Sequence, residues 1–84
     1  MRLDVFLRNS RLIKRRSLAQ TACRSSRIII NGKPAKPATD VREGDEITIV
    51  SPTWRMRVKV LCLPSRPGGG DVIEVLEQER VEEG

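Results

Sequence analysis

The sequence contains no histidine and no tyrosine, and its only aromatic residues are Phe6 and Trp54. Without histidine, the side chain that most often serves as a general base in enzymes is missing. The sequence also has no GxGxxG, Walker A or HExxH motif, and the glycines at 68–70 lack the lysine and hydroxyl residue of a phosphate-binding loop. We therefore predict a protein that is not an enzyme and that uses no cofactor and no metal.

Cysteine and long apolar runs are also scarce. Cys23 and Cys62 lie far apart and fit no CxxC or zinc-ligand spacing, so both are predicted to be reduced thiols that pack as small core residues. No apolar run approaches the ~20 residues that cross a membrane, and residues 1–11 lack the apolar region of a signal peptide. A chain of 84 residues with these features is predicted to be one soluble domain in the cytoplasm.

Positive charge is present in excess, and it is distributed unevenly. Residues 1–40 contain ten lysines and arginines against two acidic residues, whereas residues 41–84 contain six against nine. The net charge of +5 therefore divides into +8 in the first part and −3 in the second. This asymmetry indicates one polyanion-binding surface, and arginine, the main source of the positive charge, binds phosphates through two parallel hydrogen bonds.

Residues 2–8 are predicted to form a short helix, because apolar residues recur at the spacing of one helical face. These residues are Leu3, Phe6 and Leu7. Asp4 lies in the first turn, where the helix dipole favours an acidic residue, and it is equally well placed to orient a nearby arginine. Asn9 and Ser10 follow as cap and turn residues.

A second helix is predicted from about residue 15 to residue 25. Its residues predicted to face the core are Leu18, Ala22 and Cys23, with Ala19 at a close helix contact. Lys14, Arg15 and Arg16 stand at its beginning, where the positive end of the helix dipole disfavours cations. A local conflict of this kind is typical of a functional site, where a phosphate would bind free amide groups and arginines together, although a solvated run of charge is the alternative.

The following residues are predicted to form a small sheet. The run 28–30 is followed by Asn31-Gly32, which indicates a two-residue hairpin turn because both residues tolerate positive φ. The returning strand at 33–36 contains Pro34 and is therefore predicted at a sheet edge. Further strands are predicted at 46–50 and at 54–63. The last of these alternates an apolar face, Trp54, Met56, Val58, Val60 and Cys62, with a solvated face that carries Arg55, Arg57 and Lys59.

The C-terminal part differs in composition. Residues 64–70 have the composition of a flexible linker, and residues 71–84 are acidic. The β-branched residues of this last segment favour a strand around residues 72–78 over a short helix. We therefore divide the chain into a domain at residues 1–63 and a linker with an acidic C-terminal element at residues 64–84. A further hypothesis is that this acidic tail folds back on the basic surface and competes with its ligand.

Four stretches carry a family resemblance: Arg2-Leu3-Asp4-x-Phe6-Leu7, Ser10-Arg11-x-x-x-Arg15-Arg16-Ser17-x-Ala19, Ile28-x-Ile30-Asn31-Gly32-Lys33 and Asp40-Val41-x-x-Gly44-Asp45. Over residues 1 to about 50 the sequence resembles the RNA-binding domain first described in small-subunit ribosomal protein S-four. The resemblance implies an α+β fold, in which two short N-terminal helices pack on a small, bent, mainly antiparallel sheet and RNA binds on the helix and hairpin side. Ser26 departs from the family pattern, which usually has glycine there, and a positive φ at this residue would be strained.

The resemblance extends to small stand-alone bacterial members of this family that act in ribosome-associated quality control. It implies a factor that binds rRNA of the large ribosomal subunit and P-site tRNA carrying a stalled chain. We expect the protein to be monomeric off the ribosome. The positions that match RNA-facing places of the family are Arg2, Arg15, Arg16 and Lys33. Positive charge alone adds Arg11, Lys14 and Lys36.

Two other functions fit the same residues. The chain could be an adaptor whose acidic tail and 55–59 strand bind a protein, or a targeting domain that brings a separate RNA-modifying enzyme to its RNA. Since Phe6 and Trp54 are both expected in the core, the RNA-binding hypothesis predicts recognition of phosphates and backbone shape rather than stacking on bases.

Overall fold

The computed structural model describes residues 1–64 and 72–80, and this part of the chain forms two helices and five strands. The helices are α1 (Leu3–Asn9) and α2 (Arg16–Arg24). The strands are β1 (Ile28–Ile30), β2 (Lys33–Pro34), β3 (Glu46–Val50), β4 (Trp54–Val60) and β5 (Ile73–Arg80). All neighbouring strands pair antiparallel in the order β2-β1-β3-β4-β5, which confirms the predicted α+β class. Neither described helix is long and apolar enough to cross a membrane.

The helices cover one face of the sheet and enclose a small core. The predicted stripe of α1 is fully buried, and it packs against alternate residues of the central strands. The core residues from these elements are Leu3, Phe6, Leu7, Ile28, Ile30, Ile47, Ile49, Val58 and Val60. Because successive side chains of a strand point to opposite faces, the residues between them form an open face on the other side of the sheet.

Ion pairs between neighbouring strands cross the open face of the sheet. Arg57 pairs with Glu46 at 3.2 Å and with Glu77 at 3.4 Å, and Arg55 pairs with Glu79. The register explains these contacts, since Arg57 lies opposite Glu77 and Arg55 lies opposite Glu79. The two arginines are exposed as predicted, but they are already partnered. Glu77 and Glu79 of the acidic tail are thus engaged on the face that lies away from the helices.

The C-terminal segment adds a strand to the same sheet. β5 pairs with β4 over its whole length, with one irregularity between Arg57 and Val58, and this confirms the strand predicted around residues 72–78. The residues of the predicted linker at 65–70, and the tail at 81–84, lie outside the described residues.

Two residues predicted for the core are exposed instead. Leu18 exposes 53% of its surface, because the buried stripe of α2 consists of Ala19 and Cys23 and Leu18 lies beside it. Cys62 is exposed because β4 ends at Val60, so the alternation that predicts its burial stops before it. Cys23 is buried as predicted, and burial raises the pKa of its thiol to about 11.

Tight turns connect these elements. Asn31 and Gly32 have φ of 51° and 85° and form the predicted two-residue hairpin turn between β1 and β2. β2 is shorter than predicted and ends at Pro34, although the Ala35 amide still donates to the Ile28 carbonyl at 2.9 Å. Ser26, after the end of α2, has a φ of 58°, the left-handed conformation in which glycine is the usual residue.

Ser26→Gly is expected to stabilise the protein by about 0.5–1 kcal/mol. The left-handed conformation costs a residue with a Cβ about 1–2 kcal/mol, and the greater freedom of glycine in the unfolded chain cancels part of the gain. The urea midpoint of unfolding measures the effect. Ser25→Gly is the control, because Ser25 has an ordinary φ of −89° and its replacement should only destabilise. An unchanged or lower midpoint for Ser26→Gly would contradict the expectation.

Candidate nucleic-acid interface

A buried carboxylate joins the two helices. Asp4 Oδ1 accepts hydrogen bonds from Arg2 Nε at 3.1 Å and from the Val5 amide at 2.8 Å. Asp4 Oδ2 accepts from Arg2 Nη2 at 3.2 Å, from Arg16 Nε at 3.2 Å and from Gln20 Nε2 at 3.0 Å. The carboxylate therefore orients one arginine before α1 and one at the start of α2, which is the orienting role considered for Asp4.

Asp4 stays ionised inside the cluster, while the exposed groups of the cluster are positively charged. Burial acts to raise the pKa of Asp4, but hydrogen bonds from Gln20, Arg2, Arg16 and the Val5 amide outweigh it and lower the pKa to about 2. The side chain of Asp4 is fully buried, whereas those of Arg2 and Arg16 are 50% and 47% exposed. Among the described residues the side chain of Arg16 forms a hydrogen bond only through Nε, to Asp4, which leaves its two terminal nitrogens for a phosphate.

The loop between the helices carries three more of the predicted cations. Arg11, Lys14 and Arg15 are all exposed, and none of them forms an ion pair with another described residue. Arg15 occupies the N-cap position of α2, and its side chain makes no capping hydrogen bond. Cations therefore surround a helix start whose amide groups can also bind a phosphate.

The last two predicted residues lie near the edge of the sheet. Lys33 is opposite Ile30 in the β1–β2 ladder, and paired residues share a face, so Lys33 lies on the side of the helices. Lys36 follows β2 in a loop that contacts α1: its amide donates to Thr39 Oγ1, and the Leu3 amide donates to the Thr39 carbonyl. Both lysines are exposed.

Two residues of this side were not among the predicted site residues. Arg16, Gln20 and Arg24 follow one another at intervals of four along α2 and so form one stripe. Arg24, Ser26 and Lys36 all line a cavity of about 360 Å³. The stripe thus leads from the Asp4 cluster towards Lys36. The spacing of four could have revealed Arg24, whereas the neutral side chain of Gln20 gives no charge signal.

The fold and this surface define a class, a small α+β module with arginines and lysines gathered on its helical side. The model of one family, described as the S4 domain, matches residues 1–47. The chain belongs to the S4 domain family, so the family resemblance of the sequence is confirmed.

Individual relatives agree with this assignment. The chain is 59% identical over 49 residues to the RQC P-site tRNA stabilizing factor of Halalkalibacterium halodurans, a match that covers 58% of this chain and 56% of the relative. It therefore spans only a little over half the length of that relative. A second match, to the RQC P-site tRNA stabilizing factor of Listeria innocua, is 37% identical over 86 aligned positions and covers 99% of this chain and 94% of the relative.

A solved structure supports the fold. The trimeric structure of Vibrio cholerae Heat Shock Protein 15 superposes with a TM-score of 0.81 at 25% identity. The superposition covers 89% of this chain and 80% of that one. It confirms the predicted arrangement of two N-terminal helices on an antiparallel sheet.

Proposed function

We propose that this protein is a non-catalytic RNA-binding factor that binds rRNA of the large ribosomal subunit and P-site tRNA during ribosome-associated quality control. The observation that carries the proposal is the Asp4 cluster, in which one buried carboxylate holds Arg2 and Arg16 with their outer groups exposed. The ribosomal part is supported by relatives that are named RQC P-site tRNA stabilizing factors.

The mechanism is capture and positioning without bond chemistry. Arg2 and Arg16 are fixed before RNA arrives, so they lose little conformational freedom when they bind phosphates. Arg11, Lys14 and Arg15 add charge around the start of α2 and increase the rate of encounter. Such a factor works in the cytoplasm, as a monomer before it reaches the ribosome. The residues proposed to bind RNA in this mechanism all lie within residues 1–63, and β5 of the C-terminal element extends the sheet that supports them.

Binding to purified large ribosomal subunits is expected to weaken steeply with salt. For ~5 phosphate contacts, the logarithm of the affinity should fall with the logarithm of the salt concentration at a slope of roughly −3.5 to −4.5. Raising the salt from about 50 mM to about 200 mM would then weaken binding on the order of 100- to 500-fold. Arg16→Ala should reduce the magnitude of the slope by about 1. A slope near zero would contradict phosphate capture.

Sedimentation of a cell lysate tests the ribosomal target. Wild-type protein is expected with free large subunits, and the Arg15→Ala/Arg16→Ala variant at the top of the gradient. The matched control is Arg55→Ala/Arg57→Ala, which removes the same charge from the open face and should still sediment with the subunits. Wild-type protein at the top would reject the ribosomal target, and loss of binding by the control alone would favour the adaptor alternative.

A further inference from the structure

Trp54 stands at the margin of the core. The sequence predicts both aromatic residues inside, and Phe6 is indeed fully buried, but Trp54 is only half-buried. It lines an open groove of about 460 Å³. The other lining residues are Leu12, Thr53, Met56, Gln78, Glu79 and Arg80.

The sheet register builds the floor of this groove. Trp54 lies opposite Arg80 and Met56 lies opposite Gln78 in the β4–β5 ladder. Directly paired residues share a face, so an aromatic ring, a thioether, an amide and a guanidinium lie side by side. Leu12, from the loop between α1 and α2, adds an apolar wall. The groove therefore has a flat apolar part at Trp54 and Met56 and a part with hydrogen-bonding groups at Gln78 and Arg80.

The unbalanced charge around the groove is positive. Glu79 pairs with Arg55, so its charge is neutralised, whereas Arg80 forms no ion pair within residues 1–64 and 72–80. Leu12 also lies between the exposed cations Arg11 and Lys14. A ligand of this groove should accordingly combine a flat apolar surface with a negative charge.

We propose that the groove binds one unpaired nucleobase of the RNA, stacked on Trp54, with a neighbouring phosphate held by Arg80 or by the cations beside Leu12. Every base has a π-face that stacks on an aromatic side chain, and the amide of Gln78 can both donate and accept at its edge. The inference rests on the proposed RNA binding, and it adds a single-stranded contact to a surface otherwise suited to phosphates and backbone shape.

The fluorescence of Trp54 tests this inference directly, because the chain has one tryptophan and no tyrosine. The probes are a short single-stranded RNA of adenosines and a blunt-ended RNA duplex with the same number of phosphates and no unpaired base, both added at low salt. The single strand is expected to quench the emission of Trp54, and the duplex is expected to bind without quenching. Trp54→Leu should weaken binding of the single strand by about 5- to 150-fold, and Trp54→Phe by less, since it keeps a ring.

Two results with RNA would overturn the inference, and a third, with a peptide, would do so as well. One is binding of the single strand without quenching, which needs no variant and is therefore independent of how Trp54→Leu folds. The other is equal affinity of wild type, Trp54→Leu and Trp54→Phe for the single strand. In either case the duplex would still bind and the protein would still sediment with large subunits, whereas failure of the proposed function itself would abolish both. Quenching by an acidic, tryptophan-free peptide and not by RNA would assign the groove to a protein and likewise reject the inference.

Discussion

Leu7→Ala is expected to lower the free energy of unfolding by about 2–5 kcal/mol. Leu7 is fully buried in α1, where it packs with Leu3 and Phe6 against the sheet. Its truncation loses apolar burial and leaves a cavity that a short helix fixed at both ends cannot close. For a chain of this length the total stability is roughly 4–13 kcal/mol, so urea denaturation should show a large loss.

Leu18→Ala is the matched control for this experiment. It removes the same atoms from a helix, but Leu18 is exposed, and exposed substitutions change stability by less than about 0.5 kcal/mol. The sequence alone predicts the same large loss for Leu18 as for a core leucine. Equal losses for Leu7→Ala and Leu18→Ala would therefore contradict the packing of α2 described above.

Asp4→Asn is expected to have the second large effect, on stability and on RNA binding together. The neutral amide cannot replace the charged carboxylate as acceptor for two guanidinium groups. The free energy of unfolding should therefore fall by about 2–3 kcal/mol. Arg2 and Arg16 would lose their common anchor. Binding to large subunits should weaken even though the substitution makes the protein more positive, and that combination distinguishes positioning from charge alone. Tighter binding of Asp4→Asn would contradict the positioning role.

The same carboxylate predicts a dependence of stability on acid pH. The pKa of Asp4 is about 2 in the folded chain, below the ordinary value of 3.8, so the folded state binds the proton more weakly than the unfolded state. Asp4 therefore contributes about 2 kcal/mol to the free energy of unfolding. This contribution is present above the pKa of Asp4 in the unfolded chain and is lost as the pH falls towards 2. Urea midpoints of Asp4→Asn should change less over this interval than those of the wild type.

Asp40→Asn is the control for this pH profile. Hydrogen bonds from the N-terminal amine and then from Arg42 also lower the pKa of Asp40, but this carboxylate is exposed. Exposed ion pairs contribute little to stability, so Asp40→Asn should follow the wild-type profile closely. If it removed the acid dependence instead, Asp40 rather than Asp4 would be its source.

Much of this fold could be predicted from local patterns. The stripe of α1, the hairpin turn at Asn31-Gly32 and the alternation of β3 and β4 each depend on residues close in sequence. The orientation of α2 could not be predicted, because Leu18 and the Ala19/Cys23 stripe compete for the core and tertiary packing decides between them. The smaller side chains allow the helix to approach closely, which leaves the leucine outside.

The candidate site was predictable to the extent that charge marks it. All seven predicted cations are exposed, and the structure joins Arg2 to Arg16 through Asp4. The assignment of these cations to RNA stays a prediction. The anchoring carboxylate and Gln20 are contacts between helices, which sequence spacing does not reveal. The groove at Trp54 depends on the register between β4 and β5. The sequence of the β5 segment favours a strand over a helix, but it does not show which residues of β4 lie opposite it.

The ion pairs on the open face of the sheet determine from which side a polyanion can approach the protein. The arginines of that face are partnered by Glu46, Glu77 and Glu79, so a second polyanion would have to displace carboxylates that the strands themselves supply. Under the proposed function, rRNA and tRNA must then both approach the helical side, which places the two RNA partners next to each other rather than on opposite faces of the protein.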